Sequence, residues 1–221
     1  MLFRSLGKPV VVVLVNGRPV AMPRIAERAG AILEAWYAGQ EGGTAIGEAI
    51  FGDTTPGGKL PVTFPRDSGQ LPAYYNRRPT SYRPYLDSTR DPLWAFGAGL
   101  SYTTFTISAP VVDPPAIGPG GRATVTVEVT NTGARQGDEV VQLYIHDLVS
   151  SVTRPVKELR GFERVTLAPG ARKTVLFTLG PDALSLVNRE MKRVVEPGDF
   201  DVLVGANSVD VKTAKLTVVA R

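Results

Sequence analysis

Two acidic residues of this 221-residue chain stand where a carboxylate could do chemistry. Glu41 lies in the glycine-rich stretch Gly39–Gly43, directly before an apolar helical pattern. A carboxylate there could act in acid–base catalysis, but it is also the charge that a helix N-terminus favours. Asp53 follows Gly52, where the helix is predicted to end and an Asp commonly hydrogen-bonds its own backbone. The structural interpretation is favoured for both residues.

Two other kinds of site are disfavoured by the residue patterns. The glycines at 39, 42 and 43 resemble a phosphate-binding loop, but neither GxxxxGK[ST] nor GxGxxG occurs, so close helix–sheet packing is the preferred interpretation. His146 is the single histidine, predicted on a solvent face with Gln142 and Tyr144. It has no second ligand and no Ser/Asp partner pattern, so it predicts neither a metal site nor a catalytic triad. We therefore assign no catalytic, cofactor-binding or metal-binding residue and expect no cofactor.

An aromatic and basic segment lies between residues 74 and 90. It contains Tyr74, Tyr75, Tyr82 and Tyr85 with Arg77, Arg78, Arg83 and Arg90. One interpretation is a linker held down by its aromatic rings, and another is a set of rings and arginines that stack on sugar. Single-stranded nucleic-acid binding also uses interleaved Arg and Tyr, but the net charge of +4 is modest and the basic excess is local. We expect no nucleic-acid partner.

Composition excludes several other classes of protein. The chain has no cysteine, which rules out disulfides, cysteine zinc sites and thiol nucleophiles. Val10–Val15 is the longest apolar run, too short to cross a bilayer and without the cleavage site of a signal peptide. We expect no membrane span and no signal peptide in this chain.

The first part of the chain predicts an α/β fold with a mostly parallel sheet. Val10–Val15 is typical of a strand covered on both faces, residues 24–28 suit one helical turn, and Ala31–Tyr37 is interpreted as a second parallel strand. Apolar pairs four residues apart predict a helix over 42–51, and alternation predicts a strand over Lys59–Phe64. So few strands would leave a large apolar face uncovered, so we expect an α/β/α sandwich domain that lacks its N-terminal side.

From Thr106 onward the pattern is that of an all-β domain. Ala123–Val129 alternates apolar and polar residues, and Val141–Ile145, Val175–Leu179 and Phe200–Val204 repeat the alternation. A last strand is predicted at Leu216–Val219. About seven short strands without a cysteine pair predict a fibronectin-type-III-like sandwich. The mixed-charge stretch RPVKELRGFER at 154–164 is interpreted as a solvated face.

Several segments, in order, resemble glycoside hydrolase family 3, the β-glucosidases and β-xylosidases. KPVVVVLVNGRPV, MPRIAERAGAILEAWYAGQEGGTAIGEAIFGD and TTPGGKLPVTFP resemble the end of that family's α/β sandwich domain. PLWAFGAGLSYTTF is similar to the junction that follows it. NTGARQGDEVVQLYIHD, SVTRPVKELRGFERVTLAPG and VEPGDFDVLVGANS resemble its fibronectin-III-like domain. The resemblance implies a partial α/β domain at 1–65, an aromatic, proline-rich linker at 66–105 and a fibronectin-III-like domain at 106–221.

The resemblance also implies what the chain lacks. Retaining glycosidases use one carboxylate as nucleophile and a second as acid and base. In this family the nucleophile is an Asp on an N-terminal (β/α)₈ barrel, and the acid/base Glu lies in a loop that precedes the strand matching Val10–Val15. We therefore expect the C-terminal portion of a retaining β-glycosidase of a periplasmic or secreted kind, acting on β-linked glucosides or xylosides, and inactive alone. The alternative is a non-catalytic carbohydrate-binding or scaffold protein that uses the 74–90 segment.

Overall fold

The computed structural model describes residues 7–79 and 89–220, which form two compact units. The α/β unit consists of the described residues of Met1–Thr54, Val62–Ala73 and Pro84–Trp94. The sandwich unit consists of the described residues of Thr55–Pro61, Tyr74–Arg83 and Ala95–Arg221. The chain therefore leaves and re-enters each unit more than once.

Two parallel strands organise the α/β unit, as the apolar runs predict. Strand β1 (Val11–Leu14) pairs in parallel with β2 (Ala31–Glu34), with Val11 opposite Ala31. The connection between them contains the one-turn helix α1 (Pro23–Ala26), which begins with a proline at a position where no backbone donor is needed. Both strands end at the same edge because they run in the same direction.

Helix α2 (Gly42–Phe51) follows β2 and confirms the helix predicted from its apolar spacing. It ends at Gly52, whose φ of 84° is left-handed and whose N–H donates to the Glu48 carbonyl. Glycine adopts this conformation without the steric cost that a Cβ would add. The predicted helix end is therefore confirmed, and its mechanism is the expected one.

The two strands are less covered than their composition predicts. No residue of β1 or β2 is buried, and the Val11 side chain is 46% exposed. Unbroken Val and Ile runs are typical of strands covered on both faces, which requires further strands and helices around them. The described α/β unit contains one strand pair, two α-helices and a 3₁₀ turn at Ser68–Gln70, and the strand pair stays partly open to solvent.

The strand predicted at Lys59–Phe64 does not form. Within it, only Phe64 makes a bridge, an antiparallel one with Trp94. Leu60 instead exchanges backbone hydrogen bonds with Gly97 and Ala98 in the sandwich unit. Pro61 has no N–H to donate, so the stretch cannot continue a ladder across that position. Alternation was a misleading signal here because the segment contributes its two halves to different units.

The sandwich unit consists of two main sheets, which confirms the predicted all-β domain. The larger sheet has the strand order β5-β13-β12-β7-β8. Its strands are β5 (Ala116–Ile117), β7 (Gly137–Asp147), β8 (Glu158–Leu167), β12 (Gly198–Gly205) and β13 (Val211–Val218). In the smaller sheet, β6 (Ala123–Asn131) pairs with three other strands. These are β3 (Phe105–Ile107), β4 (Val111–Asp113) and β9 (Arg172–Leu179). A hairpin of β10 (Leu186–Val187) and β11 (Arg193–Val194) follows the short helix α3 (Pro181–Leu184).

The core of the sandwich unit comes from the predicted alternation. Alternate residues of β6 are buried, and Val125, Val127 and Val129 are at most 1% exposed. They pack with inward residues of β7 such as Val141 and Leu143. Side chains alternate between the two faces of a strand, so the apolar positions of each strand indicate which face is turned toward the core. The unit contains more strands than the predicted seven, since five strands of two or three residues carry too few side chains for a visible alternation.

The mixed-charge stretch at 154–164 was predicted as a solvated face, and that prediction is wrong in part. Most of it is strand β8, which pairs antiparallel with β7. Arg154, before the strand, is buried, and only Phe162 and Arg164 of the stretch are exposed.

Among the described residues, no helix is long and apolar enough to cross a membrane.

Candidate functional site

The carboxyl ends of β1 and β2 bring together the polar and aromatic residues that follow each strand. Asn16 comes two residues after β1, and Glu34 is the last residue of β2. In sheets with parallel strands, ligands bind in the crevice outside the carboxyl ends. A ligand site in the α/β unit is therefore expected at this edge.

The carboxyl group of Glu34 is held at this edge from both strands. Its Oε1 accepts the Trp36 N–H at 3.1 Å, and the Asn16 side chain also hydrogen-bonds to it. Burial raises the pKa of Glu34 above its ordinary value, and these two hydrogen bonds only partly offset the effect. The second oxygen, Oε2, is buried without a hydrogen-bond partner. Glu34 thus ties the ends of the two strands together with a half-satisfied carboxyl group.

Trp36 has an unusual backbone conformation directly after this carboxylate. Its φ is +51°, in the left-handed region that bulky residues rarely occupy. Its indole ring lies 6.0 Å, centroid to centroid, from the ring of the fully buried Phe64. The hydrogen bond to Glu34 and the contact with Phe64 together maintain a conformation that costs on the order of 1–3 kcal/mol. Such strain is found most often at functional segments.

Tyr37 follows and points outward, with 78% of its side chain exposed. Its ring lies against the backbone at Gly17, where an added Cβ would come within 2.7 Å of the ring. The turn after β1 and the turn after β2 are therefore in direct contact. Glu34, Trp36 and Tyr37 were not singled out from the sequence, although acidic and aromatic residues just past a predicted parallel strand were a usable signal.

Glu41 and Asp53 both lie where the structural interpretation places them. Glu41 is the N-cap residue of α2, is exposed, and accepts a hydrogen bond from the Thr44 hydroxyl at 3.3 Å. Asp53 lies just after α2, exposed, and its N–H donates to the Glu48 carbonyl at 2.9 Å. Among the described residues, neither carboxylate forms a salt bridge.

His146 lies on β7 and is half-buried. Its Nδ1 is 3.6 Å from Asp201 Oδ2 on the neighbouring strand β12. The prediction that it shares a solvent face with Gln142 and Tyr144 is wrong, since these two side chains are 3% and 0% exposed. Across residues 7–79 and 89–220, no three His, Asp or Glu side chains are grouped as a metal ion would need.

An aromatic stack covers this face of the sandwich unit. The rings of Tyr75 and Phe96 stack with centroids 4.2 Å apart, and Tyr75 also meets the edge of Tyr144. The Tyr75 hydroxyl accepts the Leu159 N–H, and burial raises the pKa of Tyr144. Such stacked and edge-on rings pack favourably beyond the area they bury. Part of the aromatic segment is thus committed to covering the sheet.

Gln142 completes this cover through polar contacts. Its Nε2 donates to the carbonyls of Gly97 and Ala206, and its Oε1 accepts from the Tyr144 hydroxyl. A buried polar side chain without partners would be costly, so these bonds allow polar residues to occupy the face. Gly97 has a φ of +80°, and a Cβ there would overlap the Gln142 carboxamide. The face is buried by segments far away in the sequence.

The rest of the aromatic and basic segment is only partly described. Tyr74 is 65% exposed, and Arg77 and Arg78 are exposed as well. Tyr82, Tyr85 and Arg83 lie outside the described residues. Of the two described tyrosines of this segment, Tyr74 is therefore the one whose ring remains exposed for the sugar stacking predicted from the sequence.

An open groove of about 610 Å³ lies on the sandwich unit beside the loop that follows β7. Arg154, predicted on a solvated face, is buried at its base. Its guanidinium donates to Asp147, Glu158 and the Leu184 carbonyl. Burial raises the pKa of Asp147, and the positive charge of Arg154 partly offsets this rise. The carboxylates of Asp147 and Glu158 offset the charge of the arginine, and the uncharged Leu184 carbonyl accepts a hydrogen bond from it, so the guanidinium is fully engaged within the protein.

The comparisons with known proteins match two successive parts of the chain. The family model of the Glycosyl hydrolase family 3 C-terminal domain matches residues 3–102, and that of the Fibronectin type III-like domain matches residues 139–208. The chain is 48% identical over 220 residues to the periplasmic beta-glucosidase of Salmonella typhimurium and 52% identical over 218 residues to a beta-xylosidase of Formosa agariphila. These matches cover 95% and 96% of this chain but only 29% and 30% of the relatives.

Solved structures give the same result. The chain superposes on a β-glucosidase from Erythrobacter marinus with a TM-score of 0.94 and 46% identity, covering 97% of this chain and 29% of that one. A β-glucosidase from Listeria innocua in complex with glucose gives a TM-score of 0.92 at 38% identity, with coverage of 97% and 31%. The chain thus spans about three tenths of the length of the relatives it matches.

Proposed function

Because this chain belongs to glycoside hydrolase family 3, of which it carries the C-terminal domain and the fibronectin III-like domain, we propose that it acts as the C-terminal portion of a β-glycosidase. The reaction is hydrolysis of the O-glycosyl bond of β-linked glucosides or xylosides. The observation that supports this most directly is the match to relatives named beta-glucosidase and beta-xylosidase over 95% and 96% of this chain.

The chemistry requires two carboxylates, and we place both outside these 221 residues. In a retaining glycosidase one carboxylate attacks the sugar carbon while the other protonates the leaving oxygen and then activates water. The resemblance assigns the nucleophile to a barrel and the acid/base to a loop before β1. Glu41 lies at the N-cap position of α2, where its carboxylate accepts from the Thr44 hydroxyl, and the Glu34 carboxylate accepts the Trp36 N–H, so both carboxylates have partners within the protein.

The exposed strands of the α/β unit support this division of labour. β1 and β2 are rich in Val, Ile and Leu, but no residue of either is buried. Parallel strands of this composition are stable when both faces are covered. We propose that the part of the relatives not matched by this chain supplies that cover together with the catalytic carboxylates.

We propose that the domain limits predicted from the sequence, 1–65, 66–105 and 106–221, also divide the chain by function. The α/β part carries the strand edge beside the substrate, and the fibronectin-III-like part stabilises the fold. The burial of Gln142 and Tyr144 beneath Tyr75 and Phe96 supports a structural function of the sandwich face, since a covered face is not open to a ligand.

For the location of the whole enzyme we propose an exported protein. The support is the name of one relative, the periplasmic beta-glucosidase of Salmonella typhimurium. Fractionation of cells that express the whole enzyme, with a periplasmic marker enzyme as reference, tests it. Activity that stays with the cytoplasmic fraction contradicts it.

The proposed activity is tested by comparing a fusion protein with the isolated chain. The part of the Salmonella typhimurium relative that this chain does not match is fused, in one polypeptide, to this chain. We expect the fusion to release nitrophenol from nitrophenyl β-glucoside or β-xyloside, and the isolated chain to release none above background. The same segment of the relative without this chain is the control.

Two results contradict the proposal. Turnover by the purified isolated chain would place catalytic residues within it, and a folded fusion that is inert on both substrates would remove the glycosidase assignment. The ratio of the rates on the glucoside and the xyloside gives the preference between the two sugars.

A further inference from the structure

The carboxyl edge of the α/β unit holds an exposed aromatic ring in a fixed position. The Tyr37 ring is 78% exposed, yet it rests on the Gly17 backbone so closely that no Cβ fits beneath it. The Gly17 backbone therefore lies against the Cε2, Cζ and hydroxyl end of the ring, and much of the rest of the ring is open. An aromatic ring that is already ordered loses little conformational entropy when a ligand binds to it.

The strain at Trp36 explains how the ring is presented. Trp36 turns inward to Phe64 in a left-handed conformation, fixed by its N–H bond to Glu34. The next side chain along the backbone, Tyr37, is thereby directed away from the buried Phe64. Backbone strain of this kind persists where the surroundings impose it, and it clusters at ligand clamps and active sites.

Polar residues lie near Gly17 and Tyr37 in the sequence. Asn16 and Arg18 stand on either side of Gly17, and the Asn16 side-chain oxygen accepts the Arg18 N–H at 3.1 Å. Arg18 and Gln40 are exposed. The combination of one apolar ring surface and a few hydrogen-bonding groups suits a ligand that is apolar on one face and hydroxylated at its rim.

We propose that Tyr37, with Asn16, Gly17 and Arg18, forms a binding site for a pyranose ring of a β-linked gluco- or xylo-oligosaccharide. We call it the Tyr37 platform. The C–H face of the sugar stacks on the tyrosine ring, and the rim hydroxyls meet Asn16 and Arg18. The choice of sugar rests on the proposed function, while the location rests on the exposed ring, the strained tryptophan and the carboxyl ends of the parallel strands.

The test measures binding of cellobiose and xylobiose to this chain by ligand-observed NMR. We expect binding by the unmodified chain and a loss of affinity of about three- to tenfold in Tyr37→Ala, the range that one aromatic contact supplies. Tyr37→Phe keeps the ring and is expected to keep the binding. Gly17→Ala keeps the ring too but pushes it away, since the new Cβ would lie 2.7 Å from it, and is expected to weaken binding.

Tyr74→Ala is the matched control, because Tyr74 is a second exposed tyrosine, at 65%, in the segment that the alternative hypothesis favours. It is expected to leave binding unchanged. Tryptophan fluorescence and far-UV circular dichroism of each variant establish that it folds, so a loss of binding cannot be attributed to unfolding.

Three outcomes overturn the proposal: no binding by the folded chain, equal binding by Tyr37→Ala, or loss of binding in Tyr74→Ala with Tyr37→Ala unaffected. The last would locate sugar binding in the 74–90 segment, and the first would leave Tyr37 as a residue that contacts protein. The outcome is separable from the proposed function, because the fusion can hydrolyse substrate whether or not this chain binds sugar alone, and the reverse also holds.

Discussion

Apolar strand residues are buried in one unit and left partly exposed in the other. In the sandwich unit, the inward valines of β6 are at most 1% exposed, whereas Val11 of β1 in the α/β unit is 46% exposed. The difference comes from the number of surrounding layers, since β6 faces a second sheet and β1 pairs with one strand. The composition of an apolar strand therefore indicates that its faces need to be covered, and the surrounding layers of the fold determine whether they are.

The two units can also be followed separately in solution. Both tryptophans of the chain, Trp36 and Trp94, belong to the α/β unit, so tryptophan fluorescence reports on that unit. Far-UV circular dichroism is dominated by the many strands of the sandwich unit. Unfolding in urea, recorded by both signals, is thus a way to test each side of the comparison.

The largest effect is expected from a matched pair of leucines. Leu143→Ala removes a side chain that is 1% exposed in the sandwich core, and we expect it to lower the free energy of unfolding by about 2–5 kcal/mol. Leu14→Ala removes the same group from a half-buried position on β1, with an expected loss of about 1 kcal/mol. Urea titration by both signals measures the two losses. Equal losses would contradict the contrast in cover between the units.

A second test compares two arginines of the sandwich unit. Arg154→Ala leaves the buried carboxylate of Asp147 without its ion-pair partner, while Glu158 keeps its pair with Arg160, and we expect a loss of about 2–3 kcal/mol. Arg164→Ala, the control, removes an arginine whose side chain is 61% exposed and paired with Asp138, with an expected loss below about 1 kcal/mol. If both variants shift the urea midpoint measured by circular dichroism equally, the burial of Arg154 makes no extra contribution to stability.

The third test concerns the cover over Tyr144. Gly97→Ala adds a Cβ that overlaps the Gln142 carboxamide and places an alanine at a φ of +80°, so we expect a loss of about 2 kcal/mol. Gly170→Ala has a similar φ of +74° but open space around it, and about 1 kcal/mol is expected. The difference between the two urea midpoints isolates the clash with the cover. An equal loss of stability in the two variants would mean that the Gln142 side chain moves aside for the new Cβ.

The smallest effect is a pH dependence at Glu34. Its raised pKa means that the folded α/β unit holds a proton more tightly than the unfolded chain. This contribution to stability is therefore present at pH values below the ordinary pKa of a glutamate and is lost as the pH rises through the raised value. We expect Glu34→Gln to remove that slope in the fluorescence-detected unfolding curve.

Glu41→Gln, at an exposed carboxylate on the same unit, is the matched control for this pH series. It is expected to keep the slope of the unmodified chain. A slope that survives in Glu34→Gln would assign the pH dependence to another group. The comparison between the two variants cancels the titration of the remaining carboxylates.

Much of the fold follows from short-range patterns. The i,i+4 apolar pairs and Gly52 predict α2 and its end, and the alternation at Ala123–Val129 predicts the buried face of β6. These predictions succeed because the 3.6- and 2-residue periods report directly on which side of an element faces the core. The pattern fails at Lys59–Phe64, where Pro61 and the change of unit override the alternation.

The candidate site was much less predictable. Glu41, the acid that the sequence singled out, is a helix cap, whereas the edge is built by Glu34, Trp36 and Tyr37. The left-handed conformation of Trp36 depends on Phe64, which lies 28 residues further along the chain. No local pattern encodes such a contact, so the inward turn of one ring and the exposure of the next could not be predicted.

The sequence by itself determined the periodic elements, the absence of cysteine chemistry and the resemblance to the family, because each is written in residue type and spacing. Only the tertiary structure decided burial. Gln142 and Tyr144 have the spacing of a solvent face but are buried by Tyr75 and Phe96, while the valines of β1 have the composition of a core but are exposed or only half-buried. Burial depends on what distant segments of the chain bring to a surface, and a strand carries no record of the segments that will cover it.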